Sequence, residues 1–142
     1  MIALDTNILV RFALNDNPVL SPLARDLIEH NECHVCLLAL TELGFVLASV
    51  YGATSKQIVS QVQRLLAIPT LHFEHEARLP AAMAGVVAGI DWFDAMLWAA
   101  SDPCALVTFD REFARRAGRL GWHPPVVSKL PARAGRRTGL EQ

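Results

Sequence analysis

Short apolar runs alternate with longer stretches of helical periodicity along this chain. Ile2-Ala3-Leu4 is stopped by Asp5-Thr6-Asn7, which reads as a buried strand ending in a polar turn. Ile8 to Leu14 predicts a short helix and Asn15-Asp16-Asn17-Pro18 a loop. Ser21-Pro22 opens a second helix with apolar Leu23, Leu27 and Ile28. His34 to Leu37 predicts a second strand, and Leu38 to Tyr51 a strongly apolar helix closed by Gly52. Thr54-Ser55-Lys56-Gln57 starts a helix with an apolar face of Ile58, Val62, Leu65 and Leu66, ended by Pro69. Thr70 to Phe73 is a third strand. Helices follow at Glu74 to Gly89 and Asp91 to Ser101, then a fourth strand at Ala105 to Thr108 and a helix from Asp110 to Arg119. Pro125-Val126-Val127 predicts a fifth, edge-like strand. Beyond Pro131 no core pattern is left, and a frayed tail is expected.

Apolar strands alternating with helices predict an α/β fold with a parallel sheet covered on both faces. Such folds bind ligands beyond the carboxyl ends of their strands. Asp5 directly follows the first strand, and Asp110 follows the fourth after Phe109 alone. The 142 residues suit one domain, 1–130, with a basic tail at 131–142 and no internal repeat.

At 52% apolar and 19% charged, the composition is that of a globular chain. The apolar stretch from Leu79 to Ser101 comes nearest to a membrane span, but Pro80, Asp91 and Asp94 interrupt it and it reads as two buried helices. No basic segment or cleavage site marks a signal peptide, so a cytoplasmic chain is expected. Cys33 and Cys36 lack a second pair to complete a zinc site, Cys104 being alone, and on a strand they would face opposite sides, so they are expected as small core residues. The net charge of −1 is uneven. Residues 1–109 carry −6 and residues 110–142 carry +5, a basic end compatible with a polyanionic partner.

The acids stand out by position. Asp5 is the sole charge before Arg11, and Glu42 the sole charge between Glu32 and Lys56. Asp91 and Asp94 are the only charges between Arg78 and Asp102, and Asp110 closes an apolar strand. Burying a carboxylate without a partner is costly, and convergence of several adds repulsion. With two lysines in the whole chain, a divalent cation is the simplest way to offset both, and hard oxygen ligands suit Mg²⁺ or Mn²⁺. Each acid also has a structural reading. Asp91 fits a helix N-cap with Asp94 at N3, and Asp110 fits a cap that is compatible with a ligand role. Asp5 fits an Asx-turn, and Glu42 would be a satisfied buried glutamate, which is rare.

The sequence resembles the PIN-domain family, and within it the VapC-type toxins of toxin–antitoxin pairs. Leu4-Asp5-Thr6-Asn7 resembles the family's opening motif, and Leu40-Thr41-Glu42-Leu43 its second acidic motif. Gly89 to Leu97 resembles the third, whose metal-binding acid matches Asp94, and Val107 to Phe113 resembles the fourth. The resemblance covers residues 1 to about 130, with the four motifs in family order. It implies a three-layer α/β/α fold with a mostly parallel five-stranded sheet, and Mg²⁺- or Mn²⁺-dependent endoribonuclease activity. It also implies a homodimer and a small antitoxin partner. Asp5, Glu42, Asp94 and Asp110 would be metal ligands, with Thr6, Asn7, Asp91 and Thr108 in support.

The expected chemistry is hydrolysis of RNA phosphodiester bonds by water that the metal activates and Asp94 or Asp110 orients. Arg111, Arg115 and Arg116 would hold flanking phosphates, unless they form an ordinary solvated helix face. Haloacid-dehalogenase-like phosphatases also place an Asp after strand one, but they need a second Asp where this chain has Asn7. Two readings remain beside the toxin: a solitary PIN-domain RNA-processing nuclease, and a non-catalytic module whose acidic pocket docks a basic protein.

Overall fold

The computed structural model describes residues 1–126. It divides into two compact units, Met1–Cys104 and a second that begins at Ala105. In the first, elements run β1 (Ile2–Ala3), α1 (Thr6–Leu14), α2 (Leu20–Glu29), β2 (Cys33–Val35), α3 (Leu37–Ser49), α4 (Ser55–Leu66), β3 (Leu71–Phe73), α5 (Leu79–Val87) and α6 (Trp92–Ser101). The second holds α7 (Arg111–Arg119).

The three strands form a parallel sheet in the order β1-β2-β3. Cys33 pairs with Ile2 on one side and with Leu71 on the other. Two helices connect each strand to the next, as parallel pairing requires. The carboxyl ends of the strands therefore lie at one end of the sheet, where Asp5, α3 and Glu74 begin.

The core is aliphatic. Leu9, Val35, Leu40, Leu43, Leu47, Val62, Leu65, Leu79 and Met83 are fully buried. On α4, Ile58, Val62 and Leu65 follow the helical period, and Thr54 and Gln57 close a capping box at its start. Gly52 follows α3 at φ +66°, a left-handed conformation glycine adopts without strain, and its N–H reaches the Ala48 carbonyl at 3.1 Å. Among the described residues, no helix is long and apolar enough to cross a membrane.

Several expectations need correction. Three strands are present among the described residues, not five. The Ala105–Thr108 segment contributes a single parallel bridge, Thr108 to Val126, where a continuous ladder was expected. Val127 and the tail at 131–142 lie outside the described residues. The expected helix from Glu74 is broken, because His75 takes a left-handed turn at φ 54° and a short 3₁₀ turn at Glu76–Arg78 precedes α5. Pro80, which has no N–H to donate, then sits in the first turn of α5, where none is needed. α2 begins at Leu20, one residue before Ser21, because the Asn17 side chain accepts the N–H groups of Val19 and Leu20 and caps it from outside. Cys33 is buried as expected, but Cys36 is half-buried just beyond β2; Cys104 is exposed.

Candidate metal centre

The site is built from the carboxyl end of β1. Asp5 is the N-cap of α1, in extended backbone, and its Oδ1 accepts the Thr6 N–H at 2.9 Å. A residue at that junction must leave the strand and satisfy an orphan donor of the helix, which suits aspartate. Thr6 is 5% exposed, and its hydroxyl donates to Glu42 Oε2 at 2.9 Å. Thr6 therefore ties together carboxylates that lie far apart in sequence: its N–H holds Asp5 and its hydroxyl holds Glu42.

Glu42 lies on α3, and its exposure overturns the expectation of a buried glutamate. α3 is apolar on nearly every side, with Leu38 and Phe45 exposed on the same face as Glu42. The apolar neighbours in sequence therefore do not bury the carboxylate. Asp5 and Asp110 are exposed as well, and Asp94 is half-buried. Unpaired buried charge therefore does not call for a cation here. What remains is an arrangement of carboxylates at the surface, and among the described residues neither Asp5 nor Glu42 has a lysine or arginine partner.

α6 brings Asp94 to the same end. Asp91 caps this helix by accepting the Phe93 N–H at 3.0 Å, as expected, and leaves Asp94 in its first turn. The Trp92 indole N–H donates to the Thr41 carbonyl at 2.9 Å. The ring lies against Gly44, where an added Cβ would come within 2.2 Å of Trp92 Cε2. Phe45 and Phe93 meet with ring centroids 6.0 Å apart. Thus the residue before Glu42 accepts from α6 two residues ahead of Asp94, and the two acid-bearing turns are docked by flanking side chains. Sequence reasoning did not single out Trp92, Gly44, Phe45 or Phe93. The signal available was a glycine in the middle of a helical run, a position where glycine usually has a packing reason.

Asp110 lies in the second unit. It caps α7 by accepting the Phe113 N–H at 3.0 Å, and its own N–H donates to the Thr108 hydroxyl at 3.0 Å. Arg115 and Arg116 both hydrogen-bond Glu112 on the same helix, Arg116 through Nε at 2.9 Å. Hydrogen bonding from Arg115 holds the Glu112 carboxyl below its ordinary pKa. Much of the positive face expected for phosphate is therefore engaged within α7. Arg111 is exposed.

Among the described residues, no three His, Cys, Asp or Glu side chains are grouped closely enough to form a preassembled metal cage. The donor chemistry nonetheless fits a hard cation. Asp5 and Glu42 offer carboxylate oxygens joined through Thr6, and Mg²⁺ is commonly held by one or two carboxylates with water and substrate phosphate completing its shell.

The family model for the PIN domain matches residues 2–119. The chain belongs to the PIN domain family. PIN domains are generally metal-dependent nucleases, which agrees with the oxygen donor set beyond β1. No curated protein and no solved structure matches the chain.

Proposed function

We propose that this PIN domain is a Mg²⁺- or Mn²⁺-dependent endoribonuclease of the VapC toxin type, working as a cytoplasmic homodimer and silenced by a small antitoxin. The observation that carries the nuclease reading is Thr6, which holds Asp5 and Glu42 at the carboxyl end of the sheet. Asp5 and Glu42 bind the cation. Asp94, half-buried on the helix docked against Glu42's turn, orients the attacking water. Asp110 is assigned as a further ligand from its sequence motif alone. Asn7 follows Thr6 on α1 and is exposed.

When bound, the divalent cation polarises water and offsets the charge that gathers on the phosphate oxygens. The protein's share is positional. Thr6 keeps two like charges at a fixed spacing that they would not choose unaided, and the Trp92 contact keeps Asp94 from drifting away from α3. Hydrolysis then adds the water oxygen to phosphorus, breaks the phosphorus–oxygen bond to the other strand end, and moves a water proton by way of a carboxylate to the leaving oxygen, which departs as a hydroxyl.

The test is incubation of the purified chain with single-stranded RNA, with Mg²⁺ and with chelator. Cleavage only in the presence of the cation is expected. A second reading, a non-catalytic module whose acids dock a basic protein, is favoured by the exposure of Asp5 and Glu42. Calorimetric titration with Mn²⁺ separates the two: the nuclease binds the cation at these carboxylates, whereas a chain that takes no Mn²⁺ and leaves RNA intact is the docking module.

A further inference from the structure

Beside the carboxylates lies a cavity of about 470 Å³ that the proposed chemistry does not use. Its walls include Leu38, Thr41, Phe93, Met96 and Leu97, with Glu74 at its rim. Its volume falls within the range of small-molecule sites. Its place is set by the fold. Thr41 precedes Glu42 on α3, Phe93 precedes Asp94 on α6, and Glu74 directly follows β3, so the cavity opens at the end of the sheet that bears the acids. Its lining is unusually apolar for a position beside charges. Leu38 is 75% exposed, Leu97 55% and Phe93 49%.

We propose that this cavity receives one unstacked nucleobase of a single-stranded RNA substrate, next to the phosphate that is cut, with Phe93 as the stacking face and Glu74 as the group that reads the base edge. The inference rests on the nuclease reading above. Three observations converge on it. An aromatic ring on an otherwise aliphatic wall offers a π-face to any base, the device by which proteins hold splayed single strands. Apart from Glu74 the lining carries no charge, so a base can enter where a second phosphate, beside Glu42 and Asp94, would be repelled. Glu74 is the one charged residue of the lining, and an ionised carboxylate only accepts hydrogen bonds. It therefore favours an exocyclic amino donor over a carbonyl at the same place, and cytosine against uracil is the comparison, since uracil offers only its ring N3–H beside the 4-oxo group. Duplex RNA is excluded by the same geometry, since its bases stay stacked and paired.

The test is cleavage of a randomised single-stranded RNA pool by the full chain with Mg²⁺, sequencing the new ends. At one position flanking the cut, amino-bearing bases are expected over uracil by about tenfold. An abasic nucleotide placed there should lower kcat/KM by about 10- to 100-fold, the span that loss of one stacked base produces. Glu74→Gln should erase the preference for the amino group. Leu97→Trp, which fills the cavity, should erase the abasic penalty. Both variants should bind Mn²⁺ as the unaltered chain does. Cleavage with no base preference at any flanking position, or a preference that both variants keep, overturns the pocket while leaving the nuclease intact. Absence of Mg²⁺-dependent cleavage in the unaltered chain overturns the nuclease reading instead. Sedimentation supplies a further outcome: if Leu97→Trp or Phe93→Ala splits a dimer into monomers, the cavity wall covers a second copy of the chain and the base pocket is overturned.

Discussion

Thr6 Oγ1 and Glu42 Oε2 lie 2.9 Å apart across 36 residues of sequence, and the Thr6 N–H simultaneously reaches Asp5. One small buried side chain therefore sets the spacing of two surface carboxylates. Left to themselves, two carboxylates so placed would swing apart into water, because both are exposed and like-charged. The hydroxyl gives Glu42 a reason to stay.

Thr6→Val tests this directly. Valine keeps the shape and removes the donor, and because Glu42 is exposed its freed oxygen can turn to water. The stability change should be small, about 0.5–1.5 kcal/mol. Cation affinity should fall by about 10- to 100-fold, the effect of removing a group that orients a metal ligand. Calorimetry with Mn²⁺ reads the affinity and urea denaturation the stability. An unchanged affinity would show that Thr6 only packs.

Gly44→Ala should be costly for its size. The new methyl would need the space of the Trp92 indole, 2.2 Å away, and the ring is the side chain that docks α6 on α3. Overpacking of this kind costs about 1–3 kcal/mol. Trp92→Phe relieves the crowding but drops the hydrogen bond to the Thr41 carbonyl, at about 0.5–1.5 kcal/mol. Both should lower RNA cleavage beyond their effect on stability, since Asp94 rides on the same turn. Denaturation midpoints and single-turnover cleavage rates, measured side by side, check the pair.

How far this was legible in the sequence differs from residue to residue. The strand-then-Asp5 junction, the Asp91 cap and the start of α4 at Thr54-Ser55 could be read, because each is a local pattern with a local physical cause. Glu42 could not. Hydropathy along α3 reports how apolar the helix is and not which side faces water, and this helix keeps Leu38 and Phe45 exposed beside the carboxylate. The fourth strand was misjudged for a related reason: Ala105 to Thr108 has the composition of a strand, yet pairing depends on a partner elsewhere, and among the described residues only Thr108 finds one, in Val126. The Thr6–Glu42 link and the Trp92–Gly44 contact join distant segments, and no single window of sequence contains them. The metal-binding role proposed for each acid rests on the ordered set of motifs.

The cysteines should separate cleanly by chemistry. Burial pushes the Cys33 thiol up, and none of its surface is exposed, whereas Cys104 is exposed. At pH 8 iodoacetamide should label Cys104 within minutes and leave Cys33 untouched until denaturant is added, because the thiolate is the reacting form. The raised value also fixes a sign. The Cys33 contribution to stability is present below the ordinary thiol pKa and fades as pH rises through the folded-state value, since the unfolded chain releases that proton first. Peptide mapping after alkylation checks the first statement, and denaturation midpoints from pH 7 upward, with and without Cys33→Ala, check the second.

The central claim is that carboxylates beyond β1 cut RNA with a divalent cation, and Asp5→Asn meets it most directly. Asparagine keeps the size and one acceptor oxygen, and so can still cap α1. The measurement is the rate of Mg²⁺-dependent cleavage of single-stranded RNA by this variant against the unaltered chain, with the denaturation midpoint as a control on folding. The account predicts a loss greater than the roughly 10- to 100-fold that follows from disturbing a group behind a metal ligand, with the midpoint little changed. Undiminished cleavage by a well-folded Asp5→Asn would contradict it.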